Sequence, residues 1–176
     1  HDLRLLTICT AVAVSKAVEA ICGVKADIKW VNDIFLGGKK ICGILTEATL
    51  SGELQELDTV IIGIGINTGN VPDEISGLAT SIGRETGIRG IRNSLIAEVL
   101  NQLETVYLDY TERKRMPEIL RYYENRLFIA GRQVYVSDFQ NGYDATVLGI
   151  DNAGALIVKD SGGAVQHITT GEIRLQ

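Results

Sequence analysis

The chain is poor in the residues that most often carry chemistry. It has two histidines, His1 and His167, at opposite ends. No His/Cys/carboxylate group has the spacing of a zinc site. The three cysteines, Cys9, Cys22 and Cys42, are odd in number, form no CxxC, and sit among apolar neighbours. That pattern excludes a disulfide framework and reads as buried thiols in a reducing compartment, the cytoplasm. No Ser/His/Asp or Cys/His constellation offers a nucleophile and its base. There are only two prolines and one tryptophan. No signal peptide is visible, and no apolar run reads as a membrane span. There is no initiator Met: the opening "HDLRLLTICTAVAV" enters a helix almost at once, as a piece cut from a longer protein would. Basic residues are outnumbered, 17 against 22 acidic, for a net charge of −5. A protein whose main business is duplex nucleic acid has the opposite balance.

What is present is a globular composition. Hydrophobic residues make up 45% of 176, enough to bury a core in one medium domain with a small module attached. Residues 3 to 22 are apolar on nearly every side, with Gly23 placed to end a helix. Residues 26–31 and 41–47 read as strands joined by the Gly37-Gly38 turn. A second hairpin signal, "SGE" at 51–53, leads to a strand over 57–67, giving three adjacent, mostly antiparallel strands. Residues 68–92 read as loop with a short helical stretch near 73–79. Asn93 is placed to cap an amphipathic helix whose Leu95, Ile96, Val99, Leu100, Leu103, Val106, Tyr107 and Tyr110 follow the 3.6 period. Pro117 suits the start of another helix. After Gly131 the texture changes to short β runs, "QVYV", "YDATVLGI", "ALIVKD", "AVQHITT" and "EIRLQ", separated by "NG", "DNAG" and "SGG". These predict a small barrel of the SH3 or OB kind, with a domain boundary near residue 128.

Basic residues cluster at Lys25 to Lys40 and Arg84 to Arg92. On an acidic protein, locally positive sites suit a small anionic ligand. Within "KWVND", Asn32-Asp33 reads equally as a turn opening, Lys29 as a snorkelling edge residue, and Trp30 as core. Lys39 and Lys40 beside a Gly-Gly turn are ordinarily solvated. Gly43 inside an apolar strand marks either a bulge or a ligand lying on the backbone. "IIGIGIN" is no dinucleotide fingerprint, since Thr68 stands where a third glycine is needed. Gly63 and Gly65 leave one strand face bare, for a flat group or for a packed helix, with Asn67 at the strand end able to donate to an anion.

Taken in order, the motifs are more specific. Lys-Trp-x-Asn-Asp (29–33) leads to Lys-x-x-Gly-Ile-Leu-x-Glu (40–47) and then to a strand ending Gly-Ile-Gly-Ile-Asn (63–67). This resembles the biotin protein ligase family, and the resemblance extends to the first helix and the closing "GEIRLQ". It implies a class II synthetase-like α+β catalytic domain with a mixed, largely antiparallel sheet, here 1–127 and incomplete at its start, followed by an SH3-like barrel, 128–176. It implies ATP-dependent joining of biotin to AMP, then transfer to a lysine of a carboxylase's biotin carboxyl carrier domain. Lys40 matches the catalytic lysine on the biotin carboxylate and α-phosphate. Gly43, Ile44 and Leu45 match the strand lining the biotin ring. Lys29, Asn32, Asp33 and Asn67 match nucleotide positions, with Asp33 able to hold Mg²⁺ directly or through water. A fixed cation where negative charge builds is the electrostatic chemistry such a step needs.

Two departures stand out. Val31 stands where the family usually has Pro. The family's Gly/Arg-rich loop of GRGRxGR type is not among these residues, so the chain is expected to be weakly active or inactive by itself. No helix-turn-helix precedes the motifs, and no nucleic-acid contact is expected from this chain. Two other readings stay open: a lipoate or octanoyl ligase or transferase of the same superfamily, and a non-catalytic binding or dimerisation fragment. Strands without upstream neighbours predict self-association, as a homodimer.

Overall fold

The computed structural model describes residues 3–51, 56–137 and 142–175. The core is built around α1 (Leu3–Cys22), in which the ten consecutive residues from Leu6 to Ser15 are all buried. A helix covered on every side has no polar face to solvate, so its hydroxyls must bond internally. Thr10 donates to the Leu6 carbonyl at 2.8 Å, Ser15 to the Ala26 carbonyl at 2.9 Å, and Thr7 to the Thr46 hydroxyl at 2.8 Å. Contrary to expectation, this helix is long and apolar enough to cross a membrane; its burial inside the protein makes it a core helix. Gly23 ends it in the left-handed region, φ 67°, with its N–H on the Glu19 carbonyl.

One face of α1 packs on a four-stranded antiparallel sheet in chain order: β1 (Asp27–Lys29), β2 (Asp33–Leu36), β3 (Lys39–Ser51) and β4 (Glu56–Ile66). The sequence predicts three strands, and the difference lies in "KWVND". The chain reverses there after three residues of β1, so a separate short strand, β2, reaches the Gly37-Gly38 turn. Both glycines have positive φ, 58° and 78°, as a tight hairpin requires. The Trp30–Val31 peptide is cis. Of the second hairpin signal, only Ser51 lies within the described residues.

The segment after β4 holds one 3₁₀ turn, Asp73–Ile75, and the short helix α2 (Ile82–Thr86). Ser81 caps α2, accepting from the Arg84 N–H at 3.2 Å. The next helix, α3 (Arg92–Thr111), starts before Asn93, which is therefore not its cap; Ile91 precedes the helix without a side-chain cap bond. Of its apolar stripe, Leu95, Val99 and Val106 are buried, whereas Ile96, Leu100 and Tyr107 are about half exposed. Then α4 (Met116–Asn125), with Pro117 in its first turn, lies against α1.

Residues 126–128 return to the first sheet: Ile28 donates to the Arg126 carbonyl at 2.7 Å, and Phe128 donates to the Ile28 carbonyl at 2.8 Å. Beyond them β5 (Gln133–Ser137), β6 (Gly142–Ile150), β7 (Leu156–Asp160), β8 (Val165–Ile168) and β9 (Glu172–Leu175) form an antiparallel sheet of order β8-β7-β6-β5-β9. Asn141 of the "NG" turn and Gln176 lie outside the described residues. The two sheets meet at the β6–β7 turn. There Gly154 presses against Ile8 of α1 and accepts a hydrogen bond from the Trp30 indole at 2.9 Å. The fold is α+β with antiparallel sheets.

Candidate functional site

Antiparallel registration decides which side chains share a face. Lys29 pairs with Asp33, Asp33 with Gly43, and Gly43 with Gly65, one residue on each of the four strands. Directly opposed residues point to the same side of a sheet, so these four form one row across it. Lys40 joins them from β3. A register shift at Ile34–Phe35 pairs Phe35 with Lys40, and the Lys40 side chain folds back over the row. Its Nζ lies 2.6 Å from Asp33 Oδ1. A methyl added at Gly43 would sit 3.1 Å from that same nitrogen. Glycine at 43 thus leaves the space that the ammonium needs.

The other face of β3 belongs to the core. Period-two alternation puts Gly43 and Leu45 on the open side and Ile44 on the α1 side. Leu45 is 60% exposed and Ile44 only 2%. Ile44, expected to line a ligand with Gly43 and Leu45, has its side chain in the core and presents only backbone to the open side. Leu45 lies opposite Gly63 on β4, and with Ile61, opposite Glu47, it gives the open side an apolar stretch next to the charged row. Cys42 also faces inward; burial pushes its thiol up to about 12, with Asp33 adding to the rise and Lys40 opposing it.

Asn32 and Asn67 have their amides engaged with backbone. Asn32 donates from its side chain to the Ile44 carbonyl at 2.8 Å, and its own carbonyl accepts from the Ile44 N–H. Asn67 donates to the Thr80 carbonyl at 3.1 Å. These bonds tie the "KWVND" turn to β3 and the segment 68–80 to β4. That segment also runs beside Lys40: the Lys40 N–H donates to Leu78, and Thr80 donates back to the Lys40 carbonyl. Lys39, expected to be solvated, donates to the Ser76 carbonyl at 2.9 Å.

Past Asn67 the segment borders an open cleft of about 810 Å³ at the start of α3. Arg84, Arg89 and Arg92 line it, with Asp73 as the carboxylate among its lining residues. The basic cluster read from the sequence at 84–92 is thus gathered around one cavity, adjacent to the Lys40 row but not part of it. The sequence reading missed what supports the "KWVND" turn. Tyr123 of α4 donates to the Val31 carbonyl at 3.1 Å, and Gly154 receives the Trp30 indole. Nothing in local spacing announces either residue. Among the described residues no group of three or more His, Cys, Asp or Glu is placed to hold a metal.

The arrangement is a bare, partly apolar strip of sheet with a fixed ammonium at one end and a carboxylate beside it. That suits a flat apolar molecule whose charged end meets a second anion.

Comparison with known proteins agrees. Residues 2–67 match the Biotin/lipoate A/B protein ligase family, and residues 131–175 match the Biotin protein ligase C terminal domain. The chain is 35% identical over 174 residues to the Bifunctional ligase/repressor BirA of Bacillus spizizenii, covering 97% of this chain and 52% of that protein. It is 27% identical to the Biotin--[acetyl-CoA-carboxylase] ligase of Mycobacterium tuberculosis, over 96% of this chain and 61% of that one. The chain thus spans only about half to three fifths of these relatives. Among solved structures it superposes on the biotin protein ligase of Aquifex aeolicus in complex with biotin and ATP with a TM-score of 0.84 and 25% identity, covering 100% of this chain and 72% of that one.

Proposed function

The chain belongs to the biotin protein ligase family, and from that premise we propose that the protein activates biotin with ATP and passes it to a lysine of a biotin carboxyl carrier domain. In the first step a biotin carboxylate oxygen attacks the α-phosphorus of ATP. The bond to the β-phosphate oxygen breaks, giving biotinyl-5′-AMP and pyrophosphate. In the second, the lysine amine attacks the acyl carbon, AMP leaves, and the amine gives up a proton. A mixed anhydride already reacts with amines, so no nucleophile–base pair is required of this chain.

The observation that carries the reading is the cross-sheet row Lys29–Asp33–Gly43–Gly65 with the Lys40 ammonium above it. Two anions have to be brought together, and charge builds at the α-phosphorus. Lys40 is held at the meeting point by Asp33 before either anion arrives, so little reorganisation is left for the reaction. Gly43, Gly63 and Gly65 leave the sheet bare for the ring system, and Leu45 supplies apolar contact. Lys29 and Asp33 stand at the nucleotide end. Mg²⁺ enters as part of the nucleotide substrate. A single carboxylate such as Asp33, with water and phosphate completing the shell, fits the usual Mg²⁺–nucleotide donor set. Asn32 and Asn67 contribute by holding the turn and the 68–80 segment in place.

Three further points rest on this reading. The C-terminal five-stranded sheet is read as the SH3-like module of the family. The cytoplasm, where carboxylases and ATP are found together, suits three free thiols. Self-association as a dimer is favoured by β4, which ends the sheet, and by Ile61 and Leu45 exposed beside it. Light scattering showing a monomer at high concentration would remove that last point.

The central test is calorimetry with biotinyl-adenylate on the wild-type protein and on Lys40→Ala. The expected result is binding by the first and a loss of about 100-fold or more in the second. Tight binding of lipoyl-adenylate in preference would move the protein to the lipoate side of the superfamily. Equal binding by both variants would remove Lys40 from the site.

A further inference from the structure

The turn between β1 and β2 is anchored residue by residue, each time by a different part of the molecule. Trp30 donates to Gly154 in the second sheet at 2.9 Å. Val31 accepts from Tyr123 on α4 at 3.1 Å. Asn32 exchanges two bonds with Ile44 on β3. The next residue is Asp33, which holds Lys40 at 2.6 Å. The turn that leads into Asp33 therefore has three side-chain anchors, of which one is a single phenolic hydroxyl.

Tyr123 is fully buried and has the largest completely enclosed side chain. Its hydroxyl has been taken from water, and a phenylalanine would fill the same volume without that cost. Among the described residues its hydroxyl bonds the Val31 carbonyl alone. Burial, and after it the charge of Asp33, raises the hydroxyl well above the ordinary tyrosine value. It therefore stays a neutral donor, close enough to Asp33 to feel its charge. Tyr122, next to it, has a different role: its hydroxyl lies 3.3 Å from Ser15 Oγ and 3.4 Å from Glu19, on the α1 side.

We propose that Tyr123 is a positioning residue: by donating to the Val31 carbonyl it sets where the backbone delivers Asp33, and through Asp33 it sets the nucleotide end of the site. This rests on the function proposed above and deepens it. Tyr123 touches no substrate. Its effect falls on ATP and spares biotin, because Gly43, Gly63, Gly65 and Leu45 are carried on β3 and β4 and do not depend on the turn.

The test uses the full-length protein and its Tyr123→Phe, Tyr122→Phe, Asp33→Asn and Tyr123→Phe/Asp33→Asn variants. Dissociation constants for ATP and for biotin are measured separately by calorimetry, with KM for each from steady-state kinetics. In Tyr123→Phe the affinity for ATP is expected to fall about 5- to 10-fold, the effect of losing one ordinary hydrogen bond, with biotin within twofold. Tyr122→Phe should leave both unchanged. The double variant should bind ATP no worse than Asp33→Asn alone, because one change acts through the other. Unchanged ATP affinity in Tyr123→Phe, equal losses for both ligands, or additive losses in the double variant would each overturn the proposal. Should Tyr123→Phe not fold, Trp30→Phe, which removes another anchor of the same turn, is read the same way. A wild-type protein that binds neither ligand overturns the functional reading itself, and this one with it.

Discussion

At the scale of single residues, position on the pleat matters as much as identity. Gly43 and Ile44 are neighbours in the same motif, yet one is exposed to the site and the other buried under α1. Their assignment to a common role follows the motif and ignores alternation; the structure restores it. The motifs single out Lys40 and Asp33, but not their contact, which forms beside a register shift that no spacing rule reveals. Gly43→Ala is a direct test of the geometry. The new methyl would lie 3.1 Å from Lys40 Nζ and 3.2 Å from Cε. The far end of a lysine moves easily, so the melting temperature should change little. The ammonium should leave its place, and pyrophosphate release should fall by about tenfold or more. The thiols give a second test. Burial pushes Cys9 and Cys42 up to about 12, while Cys22 is raised less and is partly exposed. Alkylation of the native chain at pH 8 should modify Cys22 first and leave the other two intact until unfolding. Early reaction at Cys42 would mean that the β3 core face opens.

At the scale of elements, long periods and strands bracketed by clear turn signals were readable. α1 and α3 carry periods long enough to override local ambiguity, the five short C-terminal runs are set apart by "NG", "DNAG" and "SGG", and each lies where its signal does. β2 is four residues and α2 five, too short for a period to show. Cap residues illustrate the same limit. Asn93 has the chemistry of a cap but lies inside α3, whereas Ser81, within a segment read as loop, makes the cap bond of α2. Ser81→Ala is therefore expected to cost about 1 kcal/mol, and Asn93→Ala to cost less than half of that. Chemical denaturation of the two variants decides it, and a reversed order would make Asn93 the cap of α3. The cost at Ser81 should also reach function, because α2 follows directly on Thr80, which donates to the Lys40 carbonyl, and its first residue, Ile82, donates to the Asn67 carbonyl.

At the scale of the whole molecule, the second sheet reaches the "KWVND" turn through the β6–β7 turn. The sequence "DNAG" announced a turn; that it docks on Trp30 and Ile8 could not be read, because the partners are more than a hundred residues away. Asp151 shapes that turn. Its Oδ1 accepts from the Ala153 and Ala155 N–H groups at 2.9 and 2.8 Å, and its Oδ2 lies 2.7 Å from His167 Nδ1. Partial burial acts to raise its carboxyl, but the bonds from His167, Ala155 and Ala153 together outweigh that, and the net shift is downward. A carboxyl depressed in the folded state favours folding at pH above its unfolded value, near 4. The contribution is lost as pH falls through the lower folded value. The melting temperature should therefore drop on acidification below about pH 4, and this part of the drop should vanish in Asp151→Asn, which at neutral pH should melt about 2–4 °C lower than wild type. If the turn also delivers Gly154 to Trp30, the tryptophan emission should change over the same acid range in the wild-type chain, where Trp30 is the only tryptophan. In Asp151→Asn the emission should already be altered at neutral pH and flat with acid. Emission that follows pH identically in both proteins would detach the turn from Trp30 and confine the second sheet's influence to simple packing.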